Sequence, residues 1–63
     1  MIIPSEKRRE LLERLAAAGP STQEELAAGL SWSAALVEAS LRALELAGEV
    51  ARETGRRWKL RAS

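Results

Sequence analysis

Along this 63-residue chain, apolar residues recur at helical spacing up to about Glu49 and then alternate in the manner of strands. Leu11, Leu15 and Ala18 fall at i, i+4 and i+7 with Leu12 and Ala16 beside them, while Glu6, Lys7, Arg9, Glu10, Glu13 and Arg14 fill the other side. That spacing predicts an amphipathic helix over Ser5–Ala18, with Ser5 as its N-cap and Gly19-Pro20 as its stop. Glu10 and Arg14 stand at i and i+4, the favourable order for a surface ion pair.

The stretch Ser21-Thr22-Gln23-Glu24-Glu25 satisfies the capping-box spacing in two ways, Ser21 with Glu24 or Thr22 with Glu25. The second helix it opens turns Leu26, Ala27 and Leu30 inward and is expected to end at Gly29, too short to stand without its neighbours. After Leu30-Ser31-Trp32-Ser33, a third helix is predicted from Ala34 to Ala47. Val37, Leu41, Leu44 and Gly48 share one side of it with Ser40, and Glu38, Arg42, Glu45, Ala35 and Ala39 lie opposite.

From Val50 the pattern becomes two short alternating stretches around Thr54-Gly55, the mark of a hairpin. A two-residue turn would put Val50 and Trp58 on different faces. A three-residue loop over residues 53–55 instead pairs Arg52 with Arg56 and Val50 with Trp58. Val50, Trp58 and Leu60 then share the core face, while Arg57, Lys59 and Arg61 point to solvent.

Composition narrows the function classes. The chain has neither cysteine nor histidine, so disulfides, thiolate zinc sites and histidine-assisted chemistry are not expected, and no cofactor or metal is implied. Nine glutamates supply carboxylates, but none sits beside a nucleophile or ligand cluster, so binding without catalysis is expected. No uncharged run approaches the ~20 residues of a membrane span, and Met1-Ile2-Ile3-Pro4 lacks the pattern of a signal peptide. One soluble cytoplasmic domain over 1–63 is the expectation. Asp, Asn, His, Cys, Phe and Tyr are all absent while Ala, Leu, Glu and Arg fill 39 positions. A strongly biased genome and a de novo sequence written to helix-favouring rules both produce such a bias.

The net charge of +1 hides an asymmetry: residues 1–49 carry five cations and eight anions, whereas residues 50–63 carry five cations and one anion. The closing hairpin is the basic element. A short helix, a turn, a longer helix and then a hairpin resemble a winged helix-turn-helix, mainly α with a small β-hairpin. The run Leu44-Glu45-Leu46-Ala47-Gly48-Glu49-Val50 is similar to the pattern that closes the third helix and launches the wing in that superfamily. Thr22 to Ser31, with Glu25, Leu26, Ala27 and Leu30, is similar to its second-helix pattern, and Gly19-Pro20 takes the place of its short first strand. Through residues 44–60 the chain also resembles the winged domain that ends bacterial DNA-processing proteins of the transformation pathway. Two additional residues around Ser31-Trp32-Ser33-Ala34 depart from the common spacing of the superfamily.

The resemblance implies double-stranded DNA as partner, a role of the transcription-regulator kind, and a third helix that enters the major groove. Its base-facing candidates are Ser31, Trp32, Ser33, Ala35, Glu38, Ala39 and Arg42; of these only Arg42 has the fork that reads guanine, and Glu38 can accept from cytosine. The phosphate-facing candidates are Arg52, Arg56, Arg57, Lys59 and Arg61 with Thr22, and Lys7, Arg8 or Arg9 as further clamps. Cations on an edge hairpin also deter strand pairing, so the wing admits a second explanation. Trp32 either caps the core under the turn or forms with Leu36 and Ala39 an apolar surface for a protein partner, the alternative function. Trp58 belongs to the core, and Ile2 and Ile3 are expected to cover it near the third helix. No heptad seam supports a strong dimer, which leaves a monomer or a weak homodimer.

Overall fold

Helix α1 spans Ser5–Ala18 in the computed structural model, which describes residues 4–61. It buries Leu11 and Leu15, and Leu12 is half-buried; Ala16 and Ala18, expected on the same side, are exposed, so within the last turn of α1 Leu15 reaches the core and they do not. Ser5 is not the cap. Pro4 occupies the N-cap position without a side-chain bond, and the Arg8 N–H donates to its carbonyl at 3.0 Å. Proline offers no side-chain acceptor, so α1 starts without the side-chain cap that Ser5 was expected to give. Gly19, at φ 77°, closes α1 by donating to the Leu15 carbonyl at 2.8 Å.

The first strand, β1, is Ser21–Thr22 and follows Gly19-Pro20 instead of containing it, since proline has no N–H for a ladder. Of the two capping boxes, Thr22 with Glu25 forms: the Glu25 N–H donates to Thr22 Oγ1 at 3.1 Å and the Thr22 N–H to Glu25 Oε1 at 2.8 Å. Ser21 is buried instead, its hydroxyl donating to the Gly19 carbonyl at 2.9 Å. Helix α2 runs over Gln23–Leu30, one residue beyond the expected stop at Gly29, and Ser31 takes the left-handed C-cap at φ 58°. The flexible end of Arg14 lies over Gly29. A side chain there would come within 2.6 Å of the Arg14 guanidinium of α1. Arg14 therefore lies on α2, and among the described residues it makes no ion pair with Glu10.

The longer turn is absorbed by Ser31-Trp32-Ser33, and Ser33 caps helix α3, Ala34–Leu46, by accepting from the Leu36 N–H at 3.1 Å. As the spacing predicts, α3 buries Val37, Ser40, Leu41 and Leu44. The Ser40 hydroxyl is fully buried and has no hydrogen-bond partner among the described residues. A buried hydroxyl without a partner costs about 1–3 kcal/mol, and alanine is the better helix former. Ser40→Ala is accordingly expected to raise stability by about 1 kcal/mol, seen as a rise in Tm of about 4–8 °C. A fall in Tm would reveal a bond to this hydroxyl.

Strands β2, Val50–Glu53, and β3, Arg57–Leu60, form the hairpin, and β1 adds to the far side of β3, giving the antiparallel order β1-β3-β2. The loop has three residues as expected, but they are Thr54-Gly55-Arg56. The register shifts accordingly: Val50 faces Leu60 and Arg52 faces Trp58, in place of Val50 with Trp58 and Arg52 with Arg56. Gly55 and Arg56 are both left-handed, at φ 77° and 60°, and it is this second left-handed residue that moves the loop by one. Because the shift preserves parity, Val50 and Trp58 still share the core face. Leu60 lies on that face too but remains 37% exposed, beyond the end of the core.

Leu11, Leu15, Leu26, Val37, Leu41, Leu44, Val50 and Trp58 make one contiguous core, with Leu12, Ala27, Leu30 and Trp32 packed on its margin. Trp32 is half-buried, and the Lys7 ammonium sits 5.0 Å from its ring centroid. The expectation for Ile2 and Ile3 lies outside the described residues. No helix among those residues is long and apolar enough to cross a membrane.

Candidate nucleic-acid interface

Helical geometry directs Ala35, Ala39, Arg42 and Leu46 away from the buried side of α3, and turns Glu38 and Glu45 toward the hairpin. Ala35 and Arg42 are exposed, Ala39 is half-buried, and Leu46 is 90% exposed. Between α3 and the hairpin runs an open groove of about 510 Å³. One wall is Glu38 and Arg42; the other is Arg52, Glu53, Arg56 and Arg57 over Trp58; Gln23 and Glu24 of α2 close one end. Gln23 also ties that end together, donating from Nε2 to the Ala34 carbonyl at 3.3 Å.

The cations of the groove, and Lys59 on the hairpin outside it, fall into two kinds. Arg42 pairs with Glu38 one turn back at 3.6 Å, Arg52 with Glu45 of α3 at 3.5 Å, and Lys59 with Glu53 across the hairpin at 3.7 Å. Arg56 and Arg57 at the tip have no carboxylate within 4 Å among the described residues. Arg57 Nε donates to the Thr54 carbonyl at 3.3 Å, which holds its guanidinium against the loop and leaves its other donors open. Among the described residues Lys7, Arg9, Arg14 and Arg61 are also outside any ion pair, but Arg56 and Arg57 are the two such cations that line the groove beside α3.

The groove gathers Glu38 and Arg42 from the base-facing candidates and Arg52, Arg56 and Arg57 from the phosphate-facing ones. Others lie apart from it. Ser31, Trp32 and Ser33 form the turn before α3, where Ser31 supplies the left-handed cap, Ser33 spends its oxygen on the helix start and Trp32 lies beneath Lys7. Thr22 Oγ1 is likewise a cap acceptor, although its own proton can still be donated outward. The Arg61 guanidinium lies by Gly48, where a side chain would meet it at 3.7 Å, at the root of the wing. Of the possible clamps on α1, Lys7 covers Trp32 and Arg8 pairs with Glu49, fastening α1 to that root.

Residues that sequence spacing did not single out are Gln23, Glu24 and Glu53, which line the groove, and Leu46 on the outward face. Only the Glu38–Arg42 pair had a local signal, the i, i+4 interval; the rest depend on how the hairpin folds back along α3.

A family model described as DprA winged helix domain matches residues 3–56. No curated protein and no solved structure matches the chain.

Proposed function

The chain belongs to the DprA winged helix domain family, whose model spans 54 of the 63 residues, and from that premise we propose that it binds double-stranded DNA without catalysing a reaction on it. The observation that carries the reading is the pair Arg56 and Arg57, cations with no carboxylate partner among the described residues, at the mouth of a groove bounded by the exposed side of α3. In this reading α3 lies in the major groove. Ala35 and Ala39 allow close approach, Arg42 meets a guanine edge and Glu38 accepts from a cytosine amino group. Arg56 and Arg57 meet the phosphates, with Lys59, Arg61 and the Thr22 hydroxyl further out along the backbone. No cofactor or metal takes part, and the chain acts as a monomer or a weak homodimer. The rival reading, a protein-docking surface of Trp32, Leu36 and Ala39, is weakened by the burial of Trp32 beneath Lys7.

The test is fluorescence anisotropy of a labelled 20-base-pair duplex, taken as about two helical turns. Binding at micromolar protein in ~50 mM salt is expected, because about four cationic phosphate contacts give modest, salt-sensitive affinity. An unchanged signal up to about 100 µM, the weak end of non-specific binding, would sink the proposal.

Arg56→Gly separates binding from folding. Arg56 holds φ 60°, which costs a side-chain-bearing residue about 1 kcal/mol that glycine avoids. The variant is expected to melt at or above the temperature of the parent chain while losing about tenfold in duplex affinity. Retained affinity would remove Arg56 from the contact set.

A further inference from the structure

We infer that Arg52 is a positioning residue, not a phosphate contact: it is a strut clamped between Trp58 and Glu45 that fixes the gap between wing and α3. The inference rests on the reading that this groove receives duplex DNA.

Arg52 lies directly across the hairpin from Trp58, on the face that Val50 turns to the core, and its guanidinium carbon stands 4.8 Å from the Trp58 ring centroid. Its Nε edge simultaneously reaches Glu45 Oε2 at 3.5 Å. One planar group, itself 63% exposed, therefore lies over an indole and pairs with a carboxylate at once, a combination that a lysine ammonium has no plane to reproduce. Among the described residues this is the one polar side-chain contact joining α3 to the hairpin strands.

Glu45 supports the same assignment from the other side. It stands in the last turn of α3, where the unpaired carbonyls disfavour an anion, and that turn contains no basic residue of its own. The compensating cation arrives from β2. The root of the wing is fixed separately, by Arg8 on Glu49 and by the Arg61 N–H on the Glu49 carbonyl at 3.0 Å. With the root held, the Arg52 contact sets how far the hairpin body stands from α3, and with it the width offered to a duplex.

Two measurements test this. In proton NMR of the free chain, the Arg52 δ-methylene signals are expected to be shifted upfield by the Trp58 ring, to lose that shift in Glu45→Gln, and to keep it when the parent chain is saturated with a 20-base-pair duplex. In salt titrations of duplex binding, Arg57→Gln is expected to reduce the slope of log affinity against log salt by about 0.9, whereas Arg52→Gln lowers affinity a few-fold with the slope unchanged to within about 0.3. Arg52→Lys, which keeps the charge, is expected to restore only part of the affinity. A slope loss of about 0.9 in Arg52→Gln, or disappearance of the ring shift on DNA saturation, would show Arg52 on a phosphate and overturn the strut. A ring shift indifferent to Glu45→Gln would overturn the clamp. Should the parent chain bind no duplex, the proposed function fails, while the free-chain NMR still decides whether Glu45 holds Arg52.

Discussion

Trp58→Ala is expected to remove most of the stability of the chain, whereas Trp32→Ala is expected to lower its Tm only modestly. Trp58 is 8% exposed on the central strand β3, flanked by Ser21 of β1 and Arg52 of β2, and it closes the core from the wing side. Truncating a core tryptophan costs about 3–5 kcal/mol. A chain of this size commands only about 3–9 kcal/mol in total, so the loss consumes most of it. Trp32 sits on the margin of the core under Lys7, and its removal is expected to cost about 1–2 kcal/mol. Far-UV circular dichroism with urea unfolding distinguishes the two. If Trp58→Ala stayed folded with Tm lowered by less than about 5 °C, equivalent to about 1 kcal/mol, the hairpin would be an appendage instead of a wall of the core.

That contrast also marks how far the sequence can be read. The helices were legible because their buried positions repeat: Leu11 with Leu15, and Val37 with Leu41 and Leu44, leave little choice of face. The two possible capping boxes, Ser21 with Glu24 and Thr22 with Glu25, announced the start of α2 to within one residue, and the second is the one that forms. The ends of elements were less legible. Pro4 displaced Ser5 at the start of α1, and Ser31 adopted the left-handed cap one residue beyond a helix that was expected to stop at Gly29. Parity identified an odd-length loop with Val50 and Trp58 inward, but a left-handed arginine at 56 has no sequence signature.

The candidate site divides in the same way. The clustering of cations after Val50 is a property of composition and could be counted. Which cations remain available is a property of tertiary structure: Glu45 neutralises Arg52 and Glu53 neutralises Lys59 only once the hairpin is closed and laid along α3. Of the five basic residues after Val50, three thus remain without a carboxylate partner among the described residues: Arg56 and Arg57 at the wing tip, and Arg61 at its root.

The combined change Arg56→Glu and Arg57→Glu is expected to weaken duplex binding by about 100-fold or more at ~50 mM salt. Each neutralised phosphate contributes about tenfold under those conditions, and reversal adds repulsion to the two lost contacts. Both residues are exposed and have no ion-pair partner among the described residues, so Tm is expected to change by no more than a few degrees. Anisotropy and thermal unfolding on the same sample check both halves. Binding weakened less than about threefold would move the phosphate contacts elsewhere on the surface.

The account stands on one spatial claim, that duplex DNA is held between the outward side of α3 and the tip of the wing. Amide chemical-shift mapping during titration with a duplex addresses it directly. The largest changes are expected at Ala35, Glu38, Ala39 and Arg42 together with Thr54, Gly55, Arg56 and Arg57, and small ones along the central turns of α1. Changes centred on α1 and Trp32, with the wing tip unmoved, would contradict it.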